Sequence, residues 1–113
     1  MIAFKVSLNG KRVCIAGAED LGVLSTIIAA SGKLGKKAVP SRPGQTFNIY
    51  YSVGGLTSRK NQKQDYHLDW ESVTPLQVGD VIQVEIVEAT KTDRAKSQKK
   101  QTATGWKSLT KKY

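Results

Sequence analysis

Residues 19–32 read Glu19-Asp20-Leu21-Gly22-Val23-Leu24-Ser25-Thr26-Ile27-Ile28-Ala29-Ala30-Ser31-Gly32, and the fold turns on how this run is taken. Leu21, Leu24, Ile27, Ile28 and Ser31 follow the i, i+3, i+4 spacing that gathers side chains on one face of a helix. Glu19 and Asp20 stand where the positive end of a helix dipole favours carboxylates, and Gly32 suits a left-handed cap. The spacing predicts a helix over 20–31.

Upstream, Ile2, Phe4, Val6 and Leu8 alternate with Ala3, Lys5 and Ser7, and Asn9-Gly10 is the preferred pair for a two-residue type I′ turn. A hairpin follows. Its expected register sets Leu8 opposite Lys11, Val6 opposite Val13 and Phe4 opposite Ile15, which turns Cys14 away from the core. Downstream, Pro40, Pro43 and Gly44 make 32–46 a basic loop, and Phe47, Ile49, Tyr51 and Val53 alternate as a strand ended by Gly54-Gly55. A polar, basic loop from Leu56 to Gln64 leads to a strand with Tyr66, Leu68 and Trp70 inward. Thr74-Pro75 breaks it, Leu76 to Asp80 turns, and Val81 to Glu88 is the last strand.

Hairpin, helix, strand, strand, turn, strand is an α+β order whose economical packing is one helix on a mixed sheet of four or five strands. With Leu76-x-x-Gly79-Asp80-Val81-Ile82 before the final strand, residues 1–88 resemble the β-grasp, or ubiquitin-like, superfamily. The resemblance implies a compact binding module whose partners use the exposed sheet face. Members that act as covalent modifiers end in Gly-Gly after that strand, whereas here 25 further residues follow it, so activation at a carboxyl terminus is not carried over.

Charge divides the chain of 113 residues, whose formal net charge is +9. Residues 1–88 carry 10 basic and 8 acidic side chains, and residues 89–113 carry 8 basic ones and only Asp93, so most of the excess is in the last block. That block is rich in Lys, Thr, Ser and Gln and lacks apolar periodicity, which reads as a basic flexible tail appended to a globular domain of residues 1–88. Inside the domain, 33–63 hold seven bases and no acid, and 64–88 hold six acids and no Lys or Arg.

Several chemistries find no support in these letters. One Cys and one His exclude an intrachain disulfide, a Cys-rich zinc site and a His-pair metal centre. Cys14, His67, Asp65 and Asp69 are the minimal kit for a thiol nucleophile, with nothing to lower the thiol pKa or build an oxyanion hole. Gly17-x4-Gly22 continues with Val23 where a phosphate loop needs Lys, and Gly32-Lys33-Leu34-Gly35 matches the clamp of KH domains but runs into prolines instead of a second helix. No enzyme activity, metal or cofactor is expected. The start of the chain lacks the layout of a signal peptide and no apolar run is long enough to span a membrane, so a cytoplasmic protein without a membrane partner is expected.

Basic segments carry the strongest functional signal. The loops contribute Lys36, Lys37, Arg42, Arg59, Lys60 and Lys63, and the tail contributes Arg94, Lys96, Lys99, Lys100, Lys107, Lys111 and Lys112, with Trp106 among them to stack on bases. The expected function is a non-enzymatic module that binds the nucleic-acid phosphate backbone. The alternative is an adaptor that docks an acidic protein partner on its exposed sheet face or through Trp106 and Leu109.

Overall fold

The structure, a computed structural model, describes residues 1–39, 44, 47–60 and 64–101. Seven strands run in chain order: β1 Ile2–Leu8, β2 Lys11–Ala16, β3 Leu21–Gly32, β4 Phe47–Thr57, β5 Tyr66–Leu76, β6 Ile82–Glu88 and β7 Ser97–Lys100. They form two antiparallel sheets, one ordered β2-β1-β6 and the other β3-β4-β5-β7. Among the described residues there is no helix, so the α+β expectation, with its mixed sheet and single helix, is corrected to an all-β two-layer arrangement.

The correction lies in the run 19–32. Leu21–Gly32 is a strand that pairs with β4 along its whole length, from Leu21 opposite Thr57 to Gly32 opposite Phe47. Val23, Thr26, Ile27 and Ile28 are β-branched and lose rotamer freedom in a helix, and Gly22 inside the first turn weakens a helix by about 1 kcal/mol relative to Ala. The face a helix would turn to water also carries no charged residue, whereas a surface helix over a sheet normally has one polar side. Pairing with an uncharged strand of 11 residues satisfies the backbone better than helical spacing does, and tertiary pairing overrides the period.

The hairpin forms at Asn9-Gly10 with φ of 52° and 81°, as the type I′ turn requires. A register shift between Val6 and Ser7 then sets Val6 opposite Cys14 and Phe4 opposite Ala16. One extra residue on β2 reverses the inward set, so Cys14 faces the core instead of solvent. Two further boundaries move. Gly54 and Gly55 lie within β4, because a Cβ at Gly55 would meet the Val23 carbonyl at 2.6 Å, and glycine marks a close approach here and not a strand end. Pro75 lies within β5, which continues to Leu76; β7 pairs only with Tyr66 to Asp69, so at Pro75 this strand is an edge that tolerates a missing donor.

The core lies between the sheets: Val6, Cys14 and Ala16 from one pack with Tyr51, Val53, Leu68 and Trp70 from the other. The extents of 51 × 43 × 18 Å fit two layers in the thin direction. The radius of gyration is 17.0 Å, against about 13 Å for a compact chain of this length.

Residues 89–101, set apart as tail in the sequence reading, cross from one sheet to the other. Asp93 donates its N–H to the Ile15 carbonyl and accepts the Ile15 N–H on Oδ2, both at 2.8 Å, so one residue covers the outer edge of β2. Its carbonyl accepts the Trp70 Nε1–H at 2.8 Å, and Arg12 reaches its Oδ1 at 2.7 Å. The chain then enters β7 beside β5.

Candidate nucleic-acid interface

The turn from β4 to β5 is closed by two side chains. Buried Thr57 donates its hydroxyl to Asp65 at 3.0 Å and accepts the Tyr66 N–H at 2.8 Å, and Asp65 also accepts the Arg59 N–H at 2.9 Å. Arg59 lies over the Tyr66 ring at 5.0 Å and donates from Nε to Asp20 at 2.8 Å, stapling the loop to the segment that precedes β3. Because β7 runs antiparallel to β5, Lys100 falls opposite Tyr66 and Lys99 opposite His67. Gln101 donates its N–H to the Asp65 carbonyl at 2.9 Å and accepts from Gln64 Nε2 at 2.7 Å. Arg59, Lys60, Lys99 and Lys100 therefore converge on one end of the larger sheet.

The other sequence candidates separate from this end. Lys36 and Lys37 follow β3 at the opposite end, beyond Gly32 and Phe47, and ten residue steps of β4 put about 34 Å between the two ends. Lys96 is held by the Glu71 carboxylate, whose hydrogen bond raises its pKa, and Arg94 is exposed in the segment crossing between the sheets. Arg42, Lys63, Trp106, Lys107, Lys111 and Lys112 lie outside the described residues.

The acids of 64–88 do not form a free negative face at this end. Asp65 is occupied by Thr57 and Arg59, and Asp69 accepts from Ser97 and faces His67 at 3.7 Å. Among the described residues Lys60, Lys99 and Lys100 make no ion pair, which leaves their charges available to a ligand. Tyr51 and Trp70 are buried in the core, and the partly buried Tyr66 ring at this end is covered by Arg59.

Thiol chemistry loses its geometry. Cys14 is 3% exposed between the sheets, whereas His67 and Asp69 fall on the outer face of β5. Burial, with the Glu71 and Asp93 carboxylates adding to it, pushes the Cys14 thiol up to about 11, so it is scarcely ionised at neutral pH. Among the described residues no group of three or more His, Cys, Asp or Glu side chains could hold a metal ion. A cleft of about 890 Å³ opens beside the crossing segment, between Gly17, Leu68, Trp70 and Arg94, and the Asp93 groups on its wall are already spent on Ile15, Trp70 and Arg12.

Sequence reasoning missed Asp93, Gln64 and Gln101, which seat the crossing segment and β7. One letter pointed to the first: Asp93 is the single acid among the last 25 residues, and a solvated basic tail has no use for it.

No family model, curated protein or solved structure matches this chain, so the resemblance to the β-grasp superfamily neither gains nor loses from these comparisons. Among the described residues no helix is long and apolar enough to cross a membrane.

Proposed function

We propose that this protein binds the phosphate backbone of nucleic acid at the end of the larger sheet where Arg59, Lys60, Lys99 and Lys100 converge. The observation that carries this reading is the docking of β7: its pairing with β5, locked by Gln64 and Gln101, brings two tail lysines beside the basic β4–β5 loop. The sequence continues from Gln101 with Lys107, Lys111 and Lys112, adding positive charge from the same point of departure. Phosphate contacts of this kind hold a chain on nucleic acid without reading sequence, and the core position of Tyr51 and Trp70 agrees with backbone binding over base stacking. The protein works in the cytoplasm, without catalysis, metal or cofactor.

The test is fluorescence anisotropy of the full chain with labelled single-stranded and duplex DNA and RNA over a range of salt. Each phosphate contact contributes a slope of about −0.7 to −0.9 in log K against log salt, so Lys60→Ala, Lys99→Ala and Lys100→Ala together flatten the slope by about 2 to 3. Absence of binding at low salt, or a slope unmoved by the triple variant, overturns the assignment. Retention of an acidic protein in place of nucleic acid would favour the adaptor reading.

A further inference from the structure

The larger sheet ends on β3, and no strand among the described residues lies beyond it. Natural edge strands are guarded by charge, proline, bulges or brevity. This one is 12 residues long with no charged residue and no proline, and its only irregularity is at Leu21/Val23. Val23, Ile27 and Ile28 are exposed, at 53%, 52% and 55%. The other edges differ: β2 carries Lys11 and Arg12, β6 carries Glu85 and Glu88, and β7 carries Lys99 and Lys100.

We propose that β3 pairs antiparallel with the same strand of a second copy about a two-fold axis at Thr26, joining two four-stranded sheets into one of eight. Two observations select a second copy as occupant. An uncharged strand can face itself in any register without setting like charges side by side. Its flanks are complementary: exposed Glu19 precedes it and Lys33 follows it, so this register sets Glu19 of each copy opposite Lys33 of the other, while Asp20 stays with Arg59.

Residues directly opposite in an antiparallel pair share a face, so this register places Leu24 against the partner's Ile28 and Ser25 against the partner's Ile27. The same pairing carries Lys36 and Lys37 of one copy to the end of the other that holds Arg59, Lys60, Lys99 and Lys100. Two basic groups that one chain keeps about 34 Å apart then share one end of the joined sheet. The dimer itself rests on β3 and not on the nucleic-acid reading.

Sedimentation equilibrium of the full chain without nucleic acid is the test, with dimer mass expected as concentration rises to about 0.5 mM. Ile27→Lys is expected to give monomer with an unchanged far-UV spectrum. The double variant Ser25→Cys with Ile27→Cys is expected to form intermolecular disulfides on oxidation, which fixes the register. A monomer at every concentration overturns the proposal, as does a dimer that survives Ile27→Lys. Should Ile27→Lys fail to fold, amide exchange of the unaltered chain decides: protection over residues 23–29 must rise with concentration, and protection independent of it overturns the proposal.

Discussion

Replacing Asp93 by Ala tests whether the segment after β6 belongs to the folded domain or hangs from it. The carboxylate accepts the Ile15 N–H at 2.8 Å, a charge-assisted bond worth about 1.5–3 kcal/mol. Its pair with Arg12 joins two half-exposed side chains, and exposed pairs contribute about 0–1 kcal/mol. The two hydrogen bonds of the Asp93 backbone survive the substitution, and water reaches the outer edge of β2 once the carboxylate is gone, so the low end of both ranges applies. The expected loss is about 1.5 kcal/mol, or about 0.75–1 M in the urea midpoint for a slope of about 1.5–2 kcal/mol per M. Asp93→Asn keeps an acceptor but no charge, and its loss should be about half.

The pH dependence has a definite sign. Chiefly the Ile15 N–H, and then Arg12, hold the Asp93 carboxyl below its ordinary 3.8. A group whose folded pKa is depressed contributes stability that is full above the unfolded pKa and is lost as pH falls through the folded one. The gap between the original chain and Asp93→Ala is therefore constant at neutral pH and closes only below about pH 4. Urea melts of the three proteins, followed by far-UV circular dichroism at pH 7 and pH 3.5, measure all of this. Midpoints for Asp93→Ala within about 0.2 M of the original at pH 7 would show that the Asp93 carboxylate holds nothing.

Three more perturbations probe other parts of the fold. Gly55→Ala forces a methyl to within 2.6 Å of the Val23 carbonyl and should cost about 1–3 kcal/mol in a thermal melt, while Gly35→Ala, with nothing within 4 Å, should leave the melting temperature unchanged. Trp70→Phe removes the donor to the Asp93 carbonyl and opens space in the core, so about 2 kcal/mol should be lost; an unchanged urea midpoint refutes the hydrogen bond. Cys14 should react with an aromatic disulfide reagent only slowly in the folded protein and rapidly in urea, because it is buried with a thiol pKa of about 11; equal rates would place it at the surface.

The candidate interface was legible as composition and not as place. Arg59, Lys60, Lys99 and Lys100 stand out in the letters as basic residues in segments without apolar period, yet nothing in their spacing shows that the last two lie beside the first two. That proximity is created by the pairing of β7 with β5, across more than 30 residues of sequence. Lys96 reads as one more free charge until Glu71 is found beside it, and Lys36 and Lys37 read as part of the same patch until β4 sets them at the other end.

The sequence by itself determined the local features whose cause is local. Asn9-Gly10 dictates a turn because both residues adopt positive φ, Gly79-Asp80 dictates another in which Asp80 accepts the Gln77 N–H, and alternation turns Leu68 and Trp70 inward. Tertiary structure alone decided the rest. The run 19–32 satisfies a helical period, but its β-branched residues, Gly22 and uncharged far side suit it better to a strand once β4 is there to pair with. Cys14 turns inward only because one extra residue of β2 shifts the hairpin register, and the segment after Glu88 is held where Asp93 meets Ile15, Arg12 and Trp70 and where β7 pairs with β5. Periodicity records what one segment buries; it cannot record a partner strand 30 residues away, and in an all-β chain that partner supplies the hydrogen bonds that decide between helix and strand.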